Sequence, residues 1–268
     1  MFFEFVFDTN QHKTRKEKMK KPACFAVMSC AFMVCAETVT FNTPADWQQE
    51  KFFTENENGG MTAVFGGPVL SKKMIELDKS KQYFLSADIK ATEGSPKGSI
   101  LLGFRTYDSK GVQLLAYQCQ YVPGTDTELL ESTEPSDTYI KVKDASKWKI
   151  HPYMVIAWNT KPDKSDLPNR KVLLVNPKKI EKQDDAWIIH LDKPVNAVLP
   201  AGTAVREHAR GGELYVGIGK ADKPVKLKKK RIHWWGGAAK ARVFFLTIPA
   251  KKGERMKLDV SDLVLEAK

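Results

Sequence analysis

From Lys81 to Gly111 the chain runs KQYFLSADIKATEGSPKGSILLGFRTYDSKG, and no other stretch constrains the fold as tightly. Tyr83, Leu85, Ala87 and Ile89 fall on one side of an extended backbone, with Ser86, Asp88 and Lys90 on the other. That period of two is what a strand with one buried and one wet face requires. A second run places Ile100, Leu102 and Phe104 on a core face and Leu101, Gly103, Arg105 and Tyr107 on the opposite one. Gly94, Pro96 and Gly98 interrupt regular structure between the two runs. Asp108-Ser109-Lys110-Gly111 then closes a hairpin whose glycine is free to take positive φ. Both strands are expected at the middle of an antiparallel β-sandwich.

The 268 residues can hold one large β domain, or one with a small second unit. With 42% hydrophobic and 28% charged residues, the chain is globular rather than disordered. Residues 1–36 hold six Lys/Arg and three Asp/Glu, so +8 of the net +11 belongs to the rest of the chain. Such a balance favours acidic surfaces, anionic glycans or nucleic acid without selecting among them. Three of the four cysteines, Cys24, Cys30 and Cys35, crowd the N-terminal region. Cys119 is left without an internal disulfide partner and is expected as a buried thiol.

From Met19 the sequence MKKPACFAVMSCAFMVCA has a basic start, a short apolar run, and Val34 and Ala36 at the −3 and −1 positions of a cleavage site. These are the parts of a secretory signal peptide, with translation expected to begin at Met19. Acylation at Cys30 or Cys35, as in a lipoprotein, is the alternative. No later stretch is apolar over a membrane-spanning length. The expectation is an exported protein, periplasmic or extracellular, with no membrane span in the mature chain.

Further strands are expected at 37–41, 61–70, 71–78 and 112–122, the last with Leu115, Tyr117, Cys119 and Tyr121 on one face. No stretch has a helical period. Between Thr125 and Gly212 the strands become short: 138–143, 154–158, 171–175, 187–191 and 201–205. They read as a small β unit inserted in a loop of the sandwich. The expected organisation is an N-terminal extension at 1–36, the sandwich at 37–132 and 212–268, and the insert at 133–211. In the closing run Met256, Leu258 and Val260 share a phase that Leu263 and Leu265 do not, which predicts a β-bulge near Ser261-Asp262.

The runs YFLSADIKATEGS, ILLGFRTYDSKG and ARVFFLTIPAKKGERMKLDVSDLVLE resemble the jelly-roll carbohydrate-binding modules of secreted bacterial glycoside hydrolases. The resemblance covers roughly residues 37–122 and 213–268. Trp187–Val195 and AGTAV at 201–205 are similar, more weakly, to small β-barrel inserts of bacterial surface and phage tail proteins. The family resemblance implies an all-β, jelly-roll-like sandwich and non-catalytic glycan binding. Many such modules hold a structural calcium, partly through an acidic residue of the closing strand. Here that position matches Ser261, beside Asp262, a departure that leaves the expectation at no cofactor and no metal.

Sugar sites stack C–H faces on aromatic rings and read hydroxyls with a few polar groups. The candidate ligand-binding residues are Trp234 and Trp235, followed by Gly236-Gly237, and Arg105, Tyr107, Tyr117 and Tyr121. On a regular strand only one of the two tryptophans would face the core. Arg105 and Tyr107 share a face that either builds a site or is packed beneath the insert. Lys226, Lys228, Lys229, Lys230 and Arg231 form a basic patch, read either as a solvated hairpin or loop or as a grip on anionic polysaccharide. Nucleic acid is not an expected partner of an exported chain. Asp166, Asn169 and Arg170 are polar readers on paper, equally explained by a turn.

No GxSxG, HExxH or phosphate-cradling glycine loop occurs, and the histidines show no metal-ligand spacing. Arg206-Glu207-His208 is an acid–base cluster in composition, expected on a solvated edge. No catalytic residue is assigned. The competing function is a structural or adhesive surface protein that binds another protein, and a glycoside hydrolase or lyase accessory comes third.

Overall fold

The computed structural model describes residues 37–268, which belong to one compact unit. The expected leader, its start at Met19, and Cys24, Cys30 and Cys35 lie outside the described residues. The fold is all-β: two six-stranded antiparallel sheets face each other across one core, with two smaller sheets alongside. The first large sheet holds β1 (Glu37–Thr40), β2 (Phe53–Glu55), β3 (Met61–Phe65), β6 (Tyr83–Ala91), β17 (Val225–Ile232) and β19 (Met256–Ala267). Its order is β17-β6-β19-β3-β2, with β1 also against β19. The second holds β4 (Gly67–Leu70), β5 (Ile75–Glu76), β7 (Gly98–Tyr107), β8 (Gln113–Leu114), β16 (Leu214–Lys220) and β18 (Lys240–Pro249). Its order is β16-β7-β18-β4, with β5 on β18 and β8 on β7.

The alternating runs that organise the sequence are β6 and β7, one in each large sheet, so the loop between them crosses the sandwich. Tyr83, Leu85, Ala87 and Ile89 meet Ile100, Leu102 and Phe104 in the core. Burying each such leucine, isoleucine or phenylalanine contributes about 1.5–3 kcal/mol. Phe65, Phe245, Trp47 and Phe53 extend this core as a chain of stacked and edge-on rings. Gly103 is needed where β16 crowds β7: a Cβ there would sit 2.0 Å from the Leu214 carbonyl oxygen. The Asp108–Gly111 hairpin forms as expected, with the Gly111 amide on the Asp108 carbonyl and Gly111 at φ +78°.

The expected bulge is present. Ser261 pairs with Asp88 and Val264 with Ser86, so Asp262 and Leu263 stand opposite Ala87 alone. That extra residue turns Leu263 and Leu265 back into the core. A second bulge, not foreseen, lies across β6 from the first. In β17 Leu227 pairs with Ala87 and Lys230 with Leu85, leaving Lys228 and Lys229 opposite Ser86. The Lys229 amide donates to Ser86 Oγ at 3.1 Å, and Lys229 sits at φ +48°. A lysine held there is strained, and its ion pair with Glu266 is too exposed to offset much. Lys229→Gly is therefore expected to raise stability by about 0.5–1 kcal/mol in urea denaturation.

The strands from Thr127 to Ala209 form the two smaller sheets. One is ordered β10 (Tyr139–Val142), β14 (Ala186–Leu191), β13 (Pro177–Gln183). The other runs β12 (Val172–Leu173), β11 (Met154–Trp158), β15 (Ala204–Ala209), β9 (Thr127–Glu128). They share a separate core that includes Leu129, Ile140, Val142, Ile156, Ile189, Leu191 and Val205.

The expected strand 61–70 is instead two, β3 and β4, one in each large sheet, and two further local expectations are overturned. The run 112–122 is not one strand: after β8 it turns through a short helix, α1 (Ala116–Cys119), which splits the supposed common face of Leu115, Tyr117, Cys119 and Tyr121. The Gln118 side chain accepts from the Leu115 amide and closes that turn, a local bond that replaces a strand ladder. The Arg206-Glu207-His208 cluster is not solvated. All three lie in β15, between β11 and β9, with no solvent exposure. Cys119 is buried as expected, and burial pushes its thiol up to about 12, so it stays protonated.

Candidate functional site

The Trp234–Gly237 segment is a turn rather than a strand. It begins where β17 ends, and the Ala238 amide closes it on the Trp235 carbonyl with Gly237 at φ +80°. Because the backbone turns, the strand rule for neighbouring side chains does not apply, and both indoles point towards apolar surroundings. Trp234 is half-buried, edge-on to Phe104 at 4.8 Å and to Tyr83 at 5.5 Å between ring centroids. Trp235 is buried with Leu114, Ala116, Cys119 and Ala238. Pro168 packs against Gly237, so the Leu167-Pro168 loop supports the turn from outside.

Facing the turn is the segment Leu77–Lys81, tied to it by the Leu77 amide on the Ala239 carbonyl at 2.8 Å. Between the two opens a cleft of about 320 Å³, lined by Asp78, Lys79, Lys81, both tryptophans and the Gly236-Gly237 backbone. The Ser80 hydroxyl and amide donate to Asp78 and hold its carboxyl below the usual carboxylate range. Trp234 Nε1 has no hydrogen-bond partner among the described residues. Asp78, Lys79 and Lys81 were not singled out in the sequence. The Asp-Lys-Ser turn signature was there to see, but its position opposite the tryptophans is set by long-range pairing.

The other expected ligand residues lie elsewhere. Arg105 donates twice to Glu213 Oε1, at 2.9 and 2.7 Å, and its guanidinium covers Phe244. Glu213 is buried, which raises its carboxyl despite the arginine, and its second oxygen has no partner among the described residues. Tyr107 accepts the Ala239 amide through its backbone carbonyl. The Tyr117 carbonyl accepts from His208 Nδ1 at 2.8 Å. The ring of Tyr121 lies under Arg206 and Lys164. None of Arg105, Tyr107, Tyr117 and Tyr121 lines the cleft.

The basic run is not a loop: it is β17, the solvent-exposed edge strand of the first sheet, entered from β16 through a tight turn at Lys220–Lys223. Charged side chains, lysine above all, on an edge strand discourage pairing with another chain. Lys226 pairs with Asp88 and Lys229 with Glu266, whereas Lys228, Lys230 and Arg231 are exposed without an ion pair among the described residues. Of the polar loop residues, Arg170 holds Asp108 at 2.8 Å. Asn169 bridges the Trp158 carbonyl and Asp166, and Asp166 accepts from Arg206. All three brace the fold.

Arg206 is the centre of a second polar cluster. Its guanidinium reaches Asp126 at 3.2 Å, Asp166 at 2.9 Å and His208 Nε2 at 3.1 Å. Burial holds the His208 imidazole down at about 4, so it is neutral, with its proton on Nδ1 towards Tyr117. On the other side of β15, burial pushes the Glu207 carboxyl up to about 7. Among the described residues no group of three or more His, Cys, Asp or Glu is arranged to hold a metal. Ser261 and Asp262 sit in the β19 bulge, with Asp262 exposed. No described helix is long and apolar enough to cross a membrane. Comparisons with family models, curated proteins and solved structures found no match to this chain.

Proposed function

We propose that this is an exported, non-catalytic glycan-binding protein and that the cleft beside Trp234 is its sugar site. The supporting observation is the make-up of that cleft. It sets indole surface and bare glycine backbone against one carboxylate and two lysines. An apolar wall with a few convergent polar groups is the usual form of a small-ligand site. A pyranose ring carries the matching pattern, with C–H faces for the indole and hydroxyls for Asp78. Lys79 suits a uronate or sulfate substituent, and Lys81 would share itself between that group and Glu37, its partner at 3.2 Å. Arg231, exposed three residues before Trp234, adds positive charge at that end of β17, and such charge raises the encounter rate of an anionic polymer.

Titration with uronate or sulfated oligosaccharides should change the tryptophan fluorescence of the protein. Lys79→Ala/Lys81→Ala is expected to weaken binding about tenfold and to reduce its salt dependence, in line with two lost charge-assisted contacts. Trp234→Phe keeps the packing on Phe104 and Tyr83 and should reduce the fluorescence change to what Trp235 contributes. The absence of any response to neutral and acidic oligosaccharides would sink the proposal.

A further inference from the structure

Two complete rows on the outward face of the second large sheet are apolar. Register sets Ile218, Leu101, Leu246 and Pro68 side by side across β16, β7, β18 and β4. The next row reads Tyr215, Gly103, Phe244 and Leu70, with Phe244 only 3% exposed beneath the Arg105 guanidinium, so the open apolar surface is the first row together with Tyr215. Alternation fixes the direction, because Ile100, Leu102, Phe104, Val243 and Phe245 on the same strands fill the core behind them. Ile218 is 70% exposed, Tyr215 36%, and Ile248, one row closer to the loops, 50%. A sandwich sheet ordinarily turns polar residues outward. A contiguous apolar face marks an interaction surface.

The face ends at three loops held together by the Ala221 amide on the Gly98 carbonyl and the Ala250 amide on the Lys97 carbonyl. They carry Lys97, Lys220, Lys223, Lys251, Lys252 and Arg255 against Glu93, Asp222 and Glu254. A cleft of about 590 Å³ opens there, lined by Leu246 and Ile248 together with Lys251, Lys252 and Arg255. At the far end of the face lies Arg242, beside the Arg105–Glu213 pair. With six cations to three carboxylates on these loops, a second copy of this chain would on balance set like charges together, and the excess favours an anionic occupant.

Hydrogen bonding separates the two kinds of anionic occupant. Apart from the Arg105 guanidinium, which Glu213 already holds, and Ser99 next to Ile248, the two rows offer one polar side-chain group, the Tyr215 hydroxyl, whereas protein interfaces carry about one hydrogen bond per 100–200 Å². A lipid surface needs none, and the backbone of these strands is already paired in the sheet. We infer that this face docks on an anionic lipid surface. Ile218, Ile248 and Leu246 enter the headgroup layer, and the loop lysines lie on phosphates.

The test is co-sedimentation of the full chain with vesicles. One set holds phosphatidylglycerol and phosphatidylcholine in equal parts, the other phosphatidylcholine alone. The chain should sediment with the anionic vesicles and be released by salt. Ile218→Ser/Ile248→Ser should lower partitioning about a hundredfold or more, the scale of two isoleucines no longer buried, with thermal unfolding unchanged. Lys251→Glu/Lys252→Glu should abolish the preference for phosphatidylglycerol. A chain that stays in the supernatant with both vesicles overturns the inference. So does equal sedimentation of the wild type and the isoleucine variant. A concentration-dependent dimer that the isoleucine variant loses, without vesicle binding, gives the face to a second copy instead.

Discussion

Replacing Arg206 by methionine will destabilise the protein by about 3–5 kcal/mol, the range for removing one member of a buried ion pair. The guanidinium has no solvent exposure, and every nitrogen on it has a partner. Nε donates to His208, Nη1 to Asp126 and the Lys161 carbonyl, and Nη2 to Asp166. Asp166 has almost no exposed side chain. Against the upward push of burial, the Lys161 amide and the Arg206 charge hold its carboxyl below the usual range. Without the arginine that carboxylate stays in place, desolvated and facing an apolar side chain. Asp126 suffers less, since Lys164 grips both its oxygens. The asymmetry gives the prediction its control. Arg206→Met/Asp166→Asn should recover part of the loss, whereas Arg206→Met/Asp126→Asn should recover little. Midpoints of urea denaturation at constant slope measure both. A loss below about 1 kcal/mol for Arg206→Met would mean that the cluster is solvated after all.

Arg206 also shows where the sequence stops being informative. Three consecutive charged or titratable residues read as surface, because nothing local compensates them. Their partners Asp126, Asp166 and Tyr117 arrive from far along the chain, and periodicity carries no trace of that. Period did suffice where one face of a strand is buried, as in β6, β7 and β18, and a slip of phase sufficed to place the β19 bulge. The same slip exists in β17. Val225 and Leu227 are in one phase and Ile232 in the other. There the lysines between them masked it, and an edge strand reads as a charged loop. At 112–122 alternation misled, since four residues closed by one glutamine side chain make a helical turn that composition does not announce. Of the candidate sugar site, the tryptophans and glycines stood out as a motif. The wall opposite them is placed by the ladder between β5 and β18 and by the Leu77–Ala239 bond, and so became visible only in the fold.

Glu207 and His208 together will leave stability nearly flat between pH 4.5 and 6.5, and breaking either one will expose a slope of opposite sign. Glu207 has an ordinary value of 4.5 and is pushed up to about 7 in the fold, first by burial, with the Lys149 amide and charge opposing. The fold therefore favours its protonated form. Its contribution is complete below pH 4.5 and is lost as pH rises towards 7. His208 has an ordinary value of 6.5 and is held down at about 4, again first by burial, with the Tyr117 carbonyl opposing and the Arg206 charge adding to the fall. Its contribution is complete above pH 6.5 and is lost as pH falls towards 4. In the shared window folding adds one proton at Glu207 and releases one from His208, so the net uptake is zero. Each group alone has a slope of about 1.4 kcal/mol per pH unit. Glu207→Gln keeps an acceptor for the Lys149 amide, and its stability relative to wild type should rise by up to about 3 kcal/mol between pH 4.5 and 7. His208→Gln keeps an acceptor for Arg206, and its relative stability should fall as pH rises from 4 to 6.5 by a similar amount. Subtracting the wild-type curve cancels the remaining carboxylates, Asp126 and Asp166 included. Two variants that run parallel to the wild type across this range would show that neither group is desolvated in the folded protein.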